Sequence, residues 1–266
     1  MIASYHNHTY RCHHATGTER QYIEKALSGG IRYMGFSDHI PCPPPEGRIE
    51  NNYRVSMIDR FTYAQTILAL KEEYKDRIDI KLGYEAEYSP ALIDKMLEIC
   101  RETEAEYMIL GQHFIGDWLR GLEVAASIEN HSVEFLDGYV NTVCEAMRTG
   151  YFTYVAHPDV VNFTGDEAIY LEKMRKICET SIETGTPLEL NFLGIRGNRH
   201  YPNLTFWKMV GEMGCEVVYG IDAHARRDAY DEESLKKAEK IKEKYGLNVI
   251  ECPKIRDLRK LSIKNA

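Results

Sequence analysis

Most histidines of this sequence stand directly after short β-rich runs. His6 and His8 follow the first run, and Asp222 and His224 follow the last. Residues i and i+2 of a strand point to the same face, so the two members of each pair can bind one ion. Imidazole and carboxylate ligands together suit zinc, iron or manganese better than calcium or magnesium alone. These spacings therefore predict a metal site.

Further candidate ligands follow the runs between those two pairs. They are His14, His39, Glu85, His113 and His157. With them, seven of the ten histidines fall on one predicted rim, where parallel α/β barrels build their active sites. Five or more imidazoles and two carboxylates are too many for one ion. The pattern predicts a multinuclear centre in which a carboxylate such as Glu85 bridges the ions.

A strand-then-helix alternation positions these residues along the whole chain. The predicted strands are residues 2–6, 31–36, 78–84, 106–111, 151–156, 187–192 and 215–221. The predicted helices are about 18–28, 56–76, 90–103, 131–148, 166–184, 203–213 and 232–245. Apolar runs without strict alternation are typical of parallel strands covered by helices. Seven such units predict an α/β fold with a barrel-like parallel sheet. The alternative, an open doubly wound sheet, usually has a glycine-rich first turn, which residues 6–14 lack.

Two helix starts carry local signals. Thr18 and Gln21 have the spacing of a capping box, in which the side chain of each residue bonds the backbone of the other. Ser89 and Pro90 place a proline at the first position of the third predicted helix, where its missing N–H costs nothing. Both signals support the predicted alternation.

The composition is that of an ordinary globular chain of 266 residues, with a formal net charge of −8. An α/β barrel commonly uses about 250 residues, so we expect one domain spanning 1–266. The acidic balance lacks the basic footprint of a dedicated nucleic-acid binder. No run approaches the length of a membrane span, and the first residues lack a signal-peptide pattern. Seven cysteines without a CxxC pair are typical of reduced thiols, so we expect a cytoplasmic protein. The oligomeric state is not indicated.

Taken together, the motifs resemble those of the PHP (polymerase and histidinol phosphatase) superfamily. The set consists of HxH at 6–8, SDH at 37–39, GYE at 83–85, the lone His113, HP at 157–158 and DAH at 222–224. Their order and the chain length are similar to the stand-alone histidinol-phosphatase branch. The resemblance runs from His6 to His224. It implies a distorted (β/α)7 TIM-like barrel that holds two or three divalent ions of zinc, manganese or iron.

The resemblance also implies how the ligands are shared among the ions. One ion would bind His6, His8, Glu85 and Asp222, a second Glu85, His113 and His157, and a third His14, His39 and His224. Asp38 would support its neighbour in the second motif. Because all nine ligand positions are filled, we expect a metal-loaded member of the superfamily.

The activity implied by the resemblance is hydrolysis of a small phosphate monoester by a metal-bridging hydroxide, with L-histidinol phosphate as the expected substrate. Glu85, Asp222 and His224 would belong to the catalytic centre. The segment after the sixth strand is similar to the family stretch that supplies a substrate arginine, so Arg196 is our first choice and Arg199 our second. His200 is a candidate near the substrate, where either it or a water could protonate the leaving oxygen.

Two features keep other functions open. Many histidinol phosphatases carry a basic residue shortly after the strand-five histidine, whereas residues 158–163 read PDVVNF. The substrate could therefore be another phosphate ester, such as a nucleotide or a sugar phosphate. An amidohydrolase-type barrel also begins with HxH, but it usually needs a bridging lysine that residues 106–113 lack. The proline-rich loop 41–48, with Glu46 and Arg48, could cover the rim and contact the amino-alcohol end of the substrate.

Overall fold

The computed structural model describes residues 1–44 and 53–260. Glu46 and Arg48 lie outside the described residues, so the role predicted for the proline-rich loop stays a prediction. No helix within the described ranges combines the length and the apolar character that crossing a membrane requires.

The described residues form a curled parallel sheet and a separate hairpin. The strands are β1 (Ala3–Ser4), β2 (Tyr33–His39), β3 (Asp79–Ala86), β4 (Tyr107–Leu110), β5 (Phe114–Ile115), β6 (Val124–Ala125), β7 (Phe152–Val155), β8 (Leu188–Asn191), β9 (Glu216–Gly220) and β10 (Asn248–Val249). Eight of them lie in the order β1-β2-β3-β4-β7-β8-β9-β10, and all neighbours in this sheet are parallel. β5 and β6 form the antiparallel hairpin. The predicted α/β fold with a barrel-like parallel sheet is confirmed.

Helices follow the strands as the alternation predicts. They are α1 (Glu19–Ser28), α2 (Arg60–Tyr74), α3 (Ile93–Glu102), α4 (Val133–Thr149), α5 (Glu167–Thr184), α6 (Phe192–Arg196), α7 (Leu204–Met213) and α8 (Glu232–Tyr245). The capping box of α1 is present, since Thr18 Oγ1 accepts from Gln21 N and Gln21 Oε1 accepts from Thr18 N. α3 begins at Ile93 rather than at Pro90, because residues 90–92 form a turn.

Three elements differ from the prediction. The eighth strand β10, the hairpin β5–β6 and the short helix α6 were not among the predicted elements. β5, β6 and β10 have two residues each, which is too short for a periodic hydrophobic pattern. The seven strand–helix units are nevertheless all present. The barrel therefore has seven such units and an eighth strand that follows α8.

Within residues 1–44 and 53–260, the two sides of the curled sheet meet at the carboxyl ends of the strands. Residues Glu216 and Val217 of β9 pair with β10, whereas Ala223, beyond β9, bridges to Asn7 beyond β1. His8 N donates to Ala223 O at 3.0 Å. The barrel is therefore distorted, and the segments carrying the HxH and DAH motifs run side by side.

Alternation along the strands separates the polar site from the helix-packed core. In β3, Tyr84 packs in the larger apolar cluster between sheet and helices, while its neighbour Glu85 is buried beside the histidines. A second apolar cluster, which includes Tyr5, Tyr107 and Tyr154, occupies the interior. The strands thus place the predicted ligands at one end of a filled barrel, as TIM-type barrels do.

Candidate metal centre

Glu85 lies at the middle of the histidine cluster and is 1% exposed. Its Oε2 is 3.4 Å from the Nε2 atoms of both His6 and His8. Its Oε1 is 2.9 Å from His157 Nε2 and 3.5 Å from His113 Nε2. Oε2 is also 3.1 Å from His39 Nδ1, so the two carboxylate oxygens face different sets of imidazoles, three at Oε2 and two at Oε1. This arrangement fits the bridging role that the sequence predicts.

The first group of ligand atoms has the spacing of a metal site. His6 Nε2 is 3.2 Å from His8 Nε2, and Asp222 Oδ1 is 3.5 Å and 3.3 Å from these two nitrogens. A tetrahedron with metal–ligand bonds of 2.0–2.1 Å has edges of about 3.3–3.4 Å. These three atoms therefore fit around one ion of zinc type, and Glu85 Oε2 lies 3.4 Å from both nitrogens.

The second group consists of Glu85, His113 and His157. The rings of His113 and His157 have centroids 4.8 Å apart, and both Nε2 atoms face the same carboxylate oxygen. Glu85, His6 and His157 also offer ligand atoms within 4.8 Å of one another. The two groups therefore adjoin, as a centre with a shared carboxylate requires.

The third group lies on the solvent side of the first. The ring centroid of His14 is 5.4 Å from that of His39 and 4.8 Å from that of His224. His14 Nδ1 is bonded to Cys12 O at 2.7 Å, which leaves its Nε2 for a ligand. The ligand atoms of His8, His39 and His224 lie within 4.8 Å of one another. All nine predicted ligands are thus brought into one cluster.

Buried carboxylates that the sequence analysis missed orient two of the ligand imidazoles. Glu189, fully buried in β8, lies 2.9 Å from His6 Nδ1. Glu87, beyond β3, has Oε1 3.4 Å from His113 Nδ1. A metal-binding histidine usually donates its other ring N–H to such a group, which fixes the tautomer and the ring orientation. A signal was available, because Glu189 is a charged residue inside the apolar run LELN. Asp38, which was predicted, has Oδ1 3.4 Å from His8 Nδ1.

Two glycines leave space for these carboxylates. A Cβ atom at Gly111 would overlap the carboxylate of Glu85, and one at Gly220 would overlap that of Glu189. Gly111 immediately follows β4, and Gly220 ends β9. Strands on either side of the site therefore carry glycine at the points where a neighbouring carboxylate enters the centre.

The local electrostatics keep both central carboxylates ionised. Burial raises the pKa of Glu85, but the adjacent imidazoles, His113 and His6 foremost, hold it well below its usual range. Burial also raises the pKa of Asp222, and His6 and the neighbouring imidazoles lower it far more. Both groups are therefore anionic ligands at neutral pH.

The imidazoles divide into two classes. Burial lowers the pKa of His8, but hydrogen bonds to Asp222 and Asp38 and the nearby charges raise it to about 9. Burial takes the pKa of His39 well below its ordinary value, and together with His8 it lowers that of His224 to about 3. Metal ligands must be unprotonated imidazoles. His39 and His224 are thus already in the binding form, whereas His8 must release a proton when an ion binds.

A cavity of about 620 Å³ opens above the cluster. We call it the histidine cavity, and its walls beyond the metal ligands include Tyr53, Phe114, Arg199 and Tyr201. Arg199 Nη1 donates to Tyr201 Oη at 3.0 Å. The hairpin β5–β6 contributes Phe114 and Ala125 to the wall. The second-choice arginine of the sequence analysis therefore lies at the cavity.

Arg196, the first choice, is placed elsewhere. It donates from Nη1 to Ile221 O at 2.7 Å and from Nη2 to Asp222 O. Its guanidinium also faces Asp228 and Asp231 at 3.9 and 3.8 Å, in a different surface depression. Asp222 has a φ of 50°, in the left-handed region that costs a non-glycine residue about 1–3 kcal/mol. Arg196 thus braces the strained turn at Asp222, a predicted metal ligand, and does not reach into the histidine cavity.

His200 is exposed at the edge of this region, and its Nε2 bonds Val160 O at 2.8 Å. It is absent from the described residues that line the histidine cavity. A rim position predicted from sequence places a residue on a loop but does not determine where its side chain points, and this applies to Arg196 and His200 alike.

Comparison with known proteins identifies the family of the chain. The PHP domain model matches residues 4–192. The histidinol-phosphatase of Bacillus subtilis (strain 168) is 31% identical over 255 residues, which cover 84% of this chain and 93% of that protein. The chain belongs to the PHP domain family. A probable histidinol-phosphatase of Deinococcus radiodurans is 28% identical over 229 residues, covering 82% of this chain and 85% of that protein.

A solved structure shows the same PHP fold. It is histidinol phosphate phosphatase from Lactococcus lactis subsp. lactis Il1403, complexed with zinc, L-histidinol and phosphate. The TM-score is 0.71 at 19% identity, with 94% of this chain and 95% of that chain covered. The predicted TIM-like fold and the PHP resemblance are confirmed.

Proposed function

We propose that the protein is a metal-dependent phosphomonoesterase that converts L-histidinol phosphate to L-histidinol and phosphate. The observation that carries this proposal is Glu85, whose two oxygens together face five imidazoles at 2.9–3.5 Å beneath an open cavity. A closed structural metal site offers no open position and no adjoining cavity. The names of the relatives support the substrate. The activity belongs to histidine biosynthesis, and we propose a cytoplasmic location.

The nine residues of the three groups would hold two or three ions of zinc, manganese or iron. Nitrogen and carboxylate donors suit these metals, and the edge lengths of the first group fit their bond lengths. When bound, such ions supply Lewis acidity toward phosphoryl oxygens and a nucleophile at neutral pH. Glu85, Asp222 and His224 contribute by holding the ions and by keeping two negative charges at the base of the site.

The phosphate would bind on the Arg199 side of the histidine cavity. Arg199 and Tyr201 present a guanidinium and a hydroxyl there, and a charge-assisted bond from arginine to a phosphate oxygen is the commonest strong contact of this kind. Arg199 would thereby stand in for the cation that is missing after His157. We leave Arg196 and His200 out of the phosphate site, because both are committed to backbone carbonyls.

The leaving group would lie against Tyr53 and Phe114. Their rings have centroids 5.6 Å apart, tilted by 33°, and both line the histidine cavity. Aromatic side chains favour offset or tilted contacts with other planar rings. The imidazole of histidinol is such a ring, whereas a sugar phosphate offers none. This wall supports histidinol phosphate over a sugar phosphate, while a nucleotide remains the second candidate.

The direct test is a phosphate-release screen with purified protein and added manganese, zinc or iron. Its panel contains histidinol phosphate, nucleoside monophosphates and sugar phosphates. We expect histidinol phosphate to give a kcat/KM well above all the others. A nucleoside monophosphate turned over at an equal or higher kcat/KM would replace the substrate assignment while retaining the metal-dependent esterase.

A further inference from the structure

Arg54 is a buried cation behind the second ligand group, and it takes no direct part in the proposed chemistry. It is 4% exposed. Its guanidinium carbon lies 4.9 Å from the ring centroid of Tyr53 and 5.3 Å from that of Trp118. Its Nη2 donates to Glu87 Oε2 at 2.5 Å. A buried arginine needs such partners, because burying an unpaired charge is costly.

Glu87 connects this cation to the metal centre. While Oε2 accepts from Arg54, Oε1 lies 3.4 Å from His113 Nδ1. On the other side of the ring, His113 Nε2 lies 3.5 Å from Glu85 Oε1. The four side chains thus form one line, from a fixed cation to the carboxylate shared by two ligand groups.

His113 needs such support more than the other ligands at the base of the site. The side chains of His6, His8 and His157 are at most 3% exposed and are confined by packing, whereas that of His113 is 26% exposed. Its ring is therefore free on one side. Among the described residues, Glu87 is the one carboxylate behind a ligand histidine that is itself paired with an arginine.

The guanidinium has few other attachments. Arg54 Nε and Nη1 are buried and have no hydrogen-bond partner in the described part of the chain. Within the described residues, Nη2 donates to Glu87 Oε2 and, at 3.3 Å, to Tyr53 Oη. Glu87 and the two rings therefore hold Arg54, and in turn Arg54 determines where the Glu87 carboxylate stands.

We infer that Arg54 is a positioning residue of the metal centre, which acts on His113 through Glu87. Arg54 fixes the carboxylate, whose Oε1 stands 3.4 Å from His113 Nδ1, and neither of these two atoms has a hydrogen-bond partner within the described residues. The negative charge of Glu87 attracts an N–H at Nδ1 and so holds the ring with Nε2 toward Glu85. Carboxylates behind metal-binding histidines commonly contribute 10–100-fold in metal affinity. The inference rests on the proposed metal centre and is independent of which phosphate ester is the substrate.

The test is titration of metal-free protein with zinc alone, in competition with a chelating dye. We expect Glu87→Gln and Arg54→Met each to weaken one ion by about 10–100-fold, so that each variant retains one tight ion fewer than wild type. The remaining ions should keep their wild-type affinity. Because no substrate is present, failure of this test and failure of the histidinol phosphate assignment are distinguishable.

A conservative variant and a double variant distinguish a positioning role of Arg54 from general structural support. Arg54→Lys should recover part of the lost affinity, and the double variant should be no weaker than the weaker single variant, because both substitutions break the same line. Glu106→Gln is the matched control. Glu106 is equally buried and paired with Lys71, but it precedes β4 at the opposite end of the barrel, so its loss should leave zinc binding unchanged.

Two outcomes would overturn the inference. One is wild-type affinity for every ion in Glu87→Gln, and the other is uniform weakening of all ions, matched by Glu106→Gln. Glu87→Gln preserves the shape of the side chain and so decides the question even where Arg54→Met does not fold.

Discussion

Glu85 is the residue that the first and second ligand groups share, because its Oε2 faces His6 and His8, and also His39, while its Oε1 faces His113 and His157. In the proposed metal centre, removing its charge would therefore weaken two sites at once, whereas removing His157 would affect one. The carboxylate is buried and surrounded by imidazoles.

Glu85→Gln should therefore cost at least two ions and lower kcat/KM more than about 10²-fold, since the loss exceeds that of an outer partner. Metal content by elemental analysis and phosphate release measure the two effects. His131→Ala, which removes an exposed histidine beside α4, is the control and should match wild type. Unchanged metal content in Glu85→Gln would refute the bridging role.

Arg199→Ala should raise KM by about 10–100-fold, because a hydrogen bond to a charged group contributes about 1.5–3 kcal/mol. Metal content should not change, since the side-chain hydrogen bond of Arg199 in the described residues goes to Tyr201, which is not a predicted ligand. Steady-state kinetics with histidinol phosphate test this, and Arg227→Ala is the control, its side chain being 88% exposed. Kinetics identical to wild type would remove Arg199 from the phosphate site.

At the scale of the elements, the spacing of ligands along a strand could be predicted from the sequence. The residues that hold those ligands in place could not. HxH and DAH were recognisable because side chains alternate strictly along extended chain. To predict that Glu189 contacts His6, one must know the register of β8 against its neighbouring strands. Arg54 lies far from His113 in sequence, so no local pattern connects the two. Arg196 shows a second limit of sequence-based prediction. Its segment follows the sixth predicted strand as expected, but its side chain points away from the histidine cavity.

The Glu85 carboxylate also limits the size of the side chain at position 111, immediately after β4. Gly111→Ala would push a methyl group into the Glu85 carboxylate, so the carboxylate must rotate out of line with one ligand group. We expect loss of at least one ion and of most activity, with the fold retained by circular dichroism. Gly138→Ala, inside α4, is the matched control and should bind metal normally. Full metal content in Gly111→Ala would show that the carboxylate has room to adjust.

For the whole molecule, the metal centre joins parts of the chain that the sheet alone holds weakly. β1 has two residues, and its extension meets that of β9 through an isolated bridge. The first ligand group draws on both extensions. Ions bound there should stabilise the contact between the two extensions. That residues 1–266 form one domain stays a prediction.

Removing metal should lower the thermal midpoint. An ion present at 100 times its Kd adds about 2.7 kcal/mol per site, which corresponds to about 5–10 °C for a chain of this size. Calorimetry with and without a chelator measures the change, and readdition of zinc should restore it. Equal midpoints for both forms would mean that the ions contribute nothing to closure.

The seam between the β1 and β9 extensions also bears on how the protein is made. His6 and His8 are synthesised before Asp222, which leaves the ribosome only after seven strands of the parallel sheet have been completed. Contacts between distant parts of a chain form late, because closing a long loop costs entropy before the contact is gained. The complete first ligand group therefore forms only when the β1 and β9 extensions have come together. Tight metal binding at this group should thus occur only after the barrel has folded.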